Sequence, residues 1–334
     1  MRVISSADID AALAFPALID TLAHAFASDF NVPQRHHHEV ARAGAVSATH
    51  LLMPAFTGNA PGPGAFLGTK IVNIFPQNGQ LGLPAVLGAY LLQSGETGAP
   101  LAIMDGTRLT HWRTAAASAL AARFLARPDA SRLLMVGAGA LAPFLIRAHA
   151  SVRPLREVTV WNHRRDSAQK LALALADEAF SVTVADNLEA AVRGADIISC
   201  ATLATMPVVQ GAWLQPGVHV DLVGAFNLHM REVDDAAIQR ARVFIDTPAA
   251  LTEGGDVALA IRAGAISAAH AEATLAQLCR GEVIVARQAR DITLFKSVGT
   301  ALEDLAAAML VWERLVQAHP GALAGKFLLH FQTG

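Results

Sequence analysis

The chain has 334 residues, 53% of them hydrophobic and 16% charged, with 26 Lys and Arg against 28 Asp and Glu. That composition excludes a disordered chain, which combines low hydrophobicity with high net charge. A formal charge of −2 leaves no basic excess for nucleic acid and no field for steering a polyanion. At about 150 residues per domain the length suggests two domains, each able to bury a core without staples. Two cysteines, Cys200 and Cys279, imply no disulfide framework and fit a reducing compartment.

Residues 2–4 read as a short strand and 8–26 as one amphipathic helix. Asp8, Asp10 and Asp20 interrupt the apolar N-terminal run, so it lacks the core of a signal peptide. The uncharged run over 71–95 contains Pro76, Pro84, Gly79, Gly82 and Gly88, the wrong punctuation for a spanning helix of about 20 apolar residues. The expectation is a cytoplasmic protein with no membrane or nucleic-acid partner.

In the segment 32–40, Arg35 precedes His36, His37 and His38. In an extended chain Arg35 and His37 share one face, and consecutive histidines alternate faces. The run cannot present three ligands together and no HExxH is present, so no metal is expected. Between residues 43 and 95 there are 53 positions and one charge, Lys70; at the chain's own 16% charged fraction about eight would be expected there. A lysine is rarely buried without a partner. Lys70 is either a snorkelling lysine on an edge strand or a cation held in an apolar cleft for an anionic substrate, where burial could tune it for proton transfer.

Arg113 precedes a run of small residues, 114–122, that reads as a closely packing helix. A cation in a first helical turn opposes the dipole, so Arg113 either serves an anion or forms a surface salt bridge, with Asp105 as one partner.

From residue 130 onward strands and helices alternate. Strands fall at 133–136, 158–161, 182–185, 197–201, 218–223 and 243–245, with helices at 140–150, 166–178 and 188–193. That alternation implies right-handed βαβ units and a parallel sheet. From about residue 298 the chain reads as one long amphipathic helix and a tail. Gly137-Ala138-Gly139-Ala140-Leu141-Ala142 follows a strand and opens a helix, the context a dinucleotide fingerprint requires. Gly137 permits the tight turn, Gly139 lets the backbone approach a pyrophosphate, and the helix N-terminus supplies N–H groups. The second strand ends Asn162-His163-Arg164-Arg165. It carries no acid for a ribose 2′-hydroxyl, and two arginines can pair a 2′-phosphate. NADPH is therefore favoured, with NADH possible; the alternative is a solvated helix N-terminus.

These pieces resemble the ornithine cyclodeaminase/mu-crystallin family. The resemblance is carried by Gly68-Thr69-Lys70-Ile71-Val72-Asn73, Phe75-Pro76-Gln77-Asn78, Pro100-Leu101-Ala102-Ile103-Met104-Asp105-Gly106, Asp221-Leu222-Val223-Gly224-Ala225, Met230-Arg231-Glu232-Val233-Asp234 and Phe295-Lys296-Ser297-Val298-Gly299. It implies a doubly wound Rossmann α/β domain, 119–297, and a discontinuous α+β substrate and dimerisation domain, 1–118 plus 298–334, in a homodimer. It also implies that Arg35, Lys70 and Arg113 hold a substrate carboxylate. Glu253 would lie at or near the same cleft. Gly137, Ala138, Gly139, Ala140, Leu141, Asn162, His163, Arg164, Thr202, Val223 and Ser297 would contact the cofactor.

Cyclodeaminases of the family carry Gly-Ala-Asp after the fifth Rossmann strand. Here the segment is Gly224-Ala225-Phe226-Asn227, and Phe226 cannot accept or relay a proton. Asn162-His163-Arg164, Leu203-Ala204-Thr205 and Leu302-Glu303-Asp304-Leu305 instead look like the Δ1-pyrroline-2-carboxylate/Δ1-piperideine-2-carboxylate reductases. The function implied is reduction of a small cyclic imine carboxylate to L-proline or L-pipecolate. The rival readings are a cyclodeaminase, an alanine-type dehydrogenase and a non-enzymatic NADPH-dependent binder.

Overall fold

A computed structural model describes residues 1–58 and 65–318. It divides the chain into two units. The first comprises Met1–Thr21, Asp29–Thr110 and the chain from Ala301; the second comprises Leu22–Ser28 and His111–Thr300. The sequence reading put the boundaries at 118 and 298. In the structure the first division falls after Thr110, inside helix Gly106–Leu125. The tail at 319–334, assigned to the substrate domain from sequence, lies outside the described residues.

The first unit is built on a sheet in the order Arg2–Ile4, Pro100–Asp105, Val86–Ser94, Phe66–Ile74, Ala48–Thr57, Phe30–Asn31, with His36–Val40 also paired to Ala48–Thr57. All pairings are antiparallel except that of Arg2–Ile4 with Pro100–Asp105. Side chains on a strand alternate faces. Phe66, Lys70 and Val72 therefore share a buried face with Met53, Ala55, Tyr90, Leu92, Ala102 and Met104. Helix Ala301–Ala318 packs on Ala48–Thr57, Phe66–Ile74 and Val86–Ser94. Phe66–Ile74 has a neighbour on each side, which removes the edge-strand reading of Lys70.

The single helix expected over 8–26 is two helices, Ser6–Ala12 and Phe15–Ala27, bent by 87°. Leu13 leaves the helical region (φ −101, ψ 145), and Pro16 in the next first turn cannot donate to a continuing helix. Ser5 and Asp8 cap the first helix reciprocally, as a capping box requires. Among the described residues no single helix is long and apolar enough to cross a membrane.

Tyr90, the only tyrosine in the sequence, is fully buried opposite Lys70. Gly68 makes room for it, since a Cβ there would overlap the hydroxyl. That hydroxyl has no hydrogen-bond partner among the described residues. Burial, and then the negative Asp304, push its ionisation well above the usual range. Removing an unpaired buried hydroxyl costs little or stabilises. Tyr90→Phe is thus expected to leave the urea midpoint unchanged or raise it. A loss of more than about 2 kcal/mol would show that the hydroxyl is bonded in solution.

The second unit holds a fully parallel eight-stranded sheet. Its order is Ser181–Val184, Glu157–Trp161, Arg132–Val136, Ile197–Cys200, His219–Leu222, Thr293–Lys296, Arg242–Ile245, Ala271–Thr274. Two of these strands lack a strand signal in the sequence. Ala271–Thr274 reads AEAT, a composition poor in strand formers. Thr293–Lys296 ends in a lysine that marks exposure by type, yet Lys296 is fully buried. The chain order reverses at Arg132–Val136, because Glu157–Trp161 lies on one side and Ile197–Cys200 on the other. Open α/β sheets bind ligands at the carboxyl ends of the strands beside such a switch point.

Candidate active site

In the first unit, the sheet register points Lys70 at the first turn of Ala301–Ala318. Its ammonium meets both Asp304 carboxylate oxygens, at 2.9 Å and 2.8 Å, and lies 3.5 Å from Thr110 Oγ1. Lys70 is 2% exposed and Asp304 is fully buried. Removing either partner from such a pair strands a buried charge. Sequence reasoning found Lys70 but not its partner. The available signal was two adjacent acids, Glu303 and Asp304, opening a helix whose neighbours Leu302, Leu305 and Ala306 are core residues.

Arg35 is half-buried in the same unit, one residue before His36–Val40. His36 and His38 lie on one face of that strand, and His38 is paired with His50. The His36–His38 and His38–His50 ring centroids are 6.4 Å apart. Among the described residues no group of three or more His, Cys, Asp or Glu side chains is arranged to hold a metal ion.

In the second unit, Arg113 lies one turn and more inside helix Gly106–Leu125, not in its first turn. The dipole argument for its role therefore fails, and the capping place belongs to Asp105, which accepts from the Arg108 N–H at 2.9 Å. Arg113 is nonetheless buried. Its guanidinium packs on Gly299: a Cβ there would lie 2.6 Å from Nη1 and 2.9 Å from Nη2. Gly299 also has φ +78, a region that favours glycine. Asp246 accepts from the N–H groups of Val298 at 2.8 Å and Gly299 at 2.6 Å, fixing the loop against which Arg113 lies. Ser297 is buried, with its N–H on the Leu222 carbonyl. Glu253 is half-buried in the turn before helix Gly255–Arg262.

The glycine turn leaves Arg132–Val136 at the switch point. Gly137 has φ +109, and a Cβ on it would sit 2.6 Å from the Ala201 carbonyl oxygen, so the turn packs tightly on the neighbouring loop. A Cβ on Gly139 would meet nothing within 4 Å. The turn is thus closed toward the sheet and open on its outer side, as a backbone cradle for a pyrophosphate must be. Helix Ala142–Ala150 begins two residues later than expected from sequence, with Pro143 in its first turn, where a missing N–H costs nothing. Ala138, Ala140 and Leu141 lie in the turn itself.

At the tip of the second strand, the Asn162 amide donates to the Arg164 carbonyl at 3.0 Å. His163 and Arg164 are exposed. Arg165 is committed to an ion pair with Asp186. Val223 is buried, with its N–H on the Cys200 carbonyl. The Thr202 N–H and hydroxyl both donate to Glu232, at 2.7 Å and 2.9 Å. Burial and the nearby Asp256 carboxylate push the Glu232 carboxyl up to about 7.

The parallel order, the switch point and the open glycine turn define a Rossmann-type dinucleotide-binding domain. The residues present fit a nicotinamide dinucleotide. A family model described as "Ornithine cyclodeaminase/mu-crystallin family" matches residues 2–319; the chain belongs to that family. It is 42% identical to an uncharacterised protein of Schizosaccharomyces pombe over 324 residues, covering 93% of this chain and 97% of that one. It is 35% identical to the Δ1-pyrroline-2-carboxylate reductase of Colwellia psychrerythraea, covering 94% and 99%. Among solved structures, the Thermococcus litoralis Δ1-pyrroline-2-carboxylate reductase in complex with NADH and L-proline superposes with a TM-score of 0.89 at 31% identity, covering 95% and 98%.

Proposed function

We propose that this protein is an NADPH-preferring reductase of cyclic ketimine carboxylates, acting on Δ1-pyrroline-2-carboxylate, Δ1-piperideine-2-carboxylate or both. The observation that carries the reading is the buried Lys70–Asp304 pair: a lysine nitrogen, paired with a carboxylate and fixed in place, on an otherwise apolar sheet face. The two relatives named as Δ1-pyrroline-2-carboxylate reductases, one of them bound to NADH and L-proline, support it.

Arg35 and Arg113 take the substrate carboxylate, where a guanidinium gives paired, charge-assisted bonds and fixes the ring for attack at C2. Lys70 donates a proton to the imine nitrogen, directly or through one water. Asp304 holds the ammonium in place and balances its charge, and Thr110 limits its rotation. A protonated C=N bond is the better hydride acceptor, so proton delivery and carboxylate neutralisation act together. When bound, the nicotinamide cofactor supplies the hydride. Phe226 argues against the cyclodeaminase reading, since its ring, 38% exposed, has no atom that can relay a proton. Exposed Leu81, Leu83, Val86 and Leu87 on the first unit support a homodimer formed through that unit.

The test is steady-state kinetics with both imines and both cofactors. Turnover of either imine to the L-amino acid supports the proposal. Ornithine converted to proline and ammonia without net cofactor use would assign a cyclodeaminase, and ammonia-dependent reduction of pyruvate an alanine-type dehydrogenase. Tight hormone-like ligand binding without turnover would assign a binder. For the cofactor, Arg165 is engaged by Asp186, which leaves Arg164 to meet a 2′-phosphate. Arg164→Ala is expected to raise the KM for NADPH about tenfold and leave that for NADH unchanged. Equal KM changes for both cofactors would remove Arg164 from phosphate recognition.

A further inference from the structure

We propose that Glu232 is a positioning residue of the cofactor site, clamping the two loops that leave the strands beside the switch point. Its carboxylate is 1% exposed and gathers four donors from two loops. Oε1 accepts from the Thr202 N–H (2.7 Å) and hydroxyl (2.9 Å), just beyond Ile197–Cys200. Oε2 accepts from the N–H groups of Gly224 (2.8 Å) and Ala225 (3.3 Å), just beyond His219–Leu222. One side chain therefore sets the spacing between neighbouring strand ends.

The fit is tight. A Cβ on Gly224 would run into the Thr202 backbone and the Glu232 carboxylate. The first loop in turn carries the Ala201 carbonyl, on which the Gly137 turn packs, so the clamp reaches the glycine turn through one contact. Glu232 is itself held. Asp256 Oδ1 accepts from its N–H at 2.7 Å and from that of Val233 at 3.1 Å. Asp256 is paired at 3.1 Å with the buried Lys296, which donates to the Leu222 carbonyl at 3.3 Å. A hydrophobic residue at 232 would leave two buried and two partly buried donors unpaired, a large cost. An ionised carboxylate is the one side chain that accepts at both ends and donates at neither.

This inference rests on the cofactor assignment of the proposed function, and the experiment separates the two. NADPH binding is measured directly, by fluorescence titration without imine, for the wild type, Glu232→Gln and Thr202→Val, alongside thermal unfolding and KM for cofactor and imine. In Glu232→Gln an amide NH2 faces N–H donors, so one loop is released. The dissociation constant and KM for NADPH are expected to rise tenfold or more, with the imine KM changed less than about twofold. Thr202→Val keeps shape and backbone and loses one donor; a smaller rise in the same cofactor constants is expected. Wild-type cofactor affinity in Glu232→Gln overturns the clamp. So does a loss that scales equally for cofactor and imine with the unfolded fraction, because that marks a purely structural role. If Glu232→Gln does not fold, Thr202→Val decides: unchanged NADPH affinity overturns the proposal. A wild type that binds NADPH but reduces neither imine sinks the proposed substrate while leaving the clamp tested by binding. A wild type that binds no nicotinamide cofactor overturns both.

Discussion

Lys70→Met is expected to lower imine reduction by about 10² to 10⁴, the range for removing a placed proton donor. The same change strands Asp304, fully buried, and costs about 3–5 kcal/mol of stability. The two losses are separable. Lys70→Met combined with Asp304→Leu removes the whole pair and replaces it with apolar groups, which is often neutral or stabilising. The double variant is expected to regain most of the unfolding midpoint and none of the activity. Recovery of turnover along with stability would show that Lys70 serves only the core.

Gly299→Ala carries the second large effect. The position has φ +78, which costs a β-carbon about 1–2 kcal/mol, and the new methyl would meet the Arg113 guanidinium at 2.6 Å. The loop cannot retreat without breaking the Val298 and Gly299 bonds to Asp246. Arg113 must therefore move. The KM for the imine is expected to rise by tenfold or more, because a misplaced clamp group loses its charge-assisted bond. Cofactor affinity should stay near that of the wild type. An unchanged imine KM in a folded variant would detach Arg113 from the carboxylate.

Much of this arrangement is legible in the sequence, for identifiable reasons. The βαβ alternation and the Gly137–Gly139 turn depend on local spacing, and they lie where the spacing puts them. Lys70 stands out because 53 residues carry no other charge. What local spacing hides is pairing at a distance. Asp304 is 234 positions from Lys70, and only the sheet register brings helix Ala301–Ala318 over it. Thr293–Lys296 enters the sheet between His219–Leu222 and Arg242–Ile245, out of chain order, so no neighbouring pattern announces it. The run of small residues from Thr114 places Arg113 in a first turn; the helix starts at Gly106, and the residue owes its importance to packing on Gly299. Glu232 sits in the motif Met230-Arg231-Glu232-Val233-Asp234, whose spacing alone points to no chemistry. A buried carboxylate that gathers four donors has no signature in sequence, because three of them are backbone N–H groups of other loops and the fourth is the Thr202 hydroxyl, 30 positions away.

In the proposed reaction one hydride from NADPH and one proton held at Lys70 convert a cyclic imine carboxylate to the saturated L-amino acid. The most direct measurement is the ratio of NADPH oxidised to L-proline or L-pipecolate formed when the purified protein is given the corresponding imine. The expected result is one to one, with no ammonia released. No NADPH oxidation with either ring, or proline made from ornithine with ammonia released and no net NADPH consumed, would contradict it.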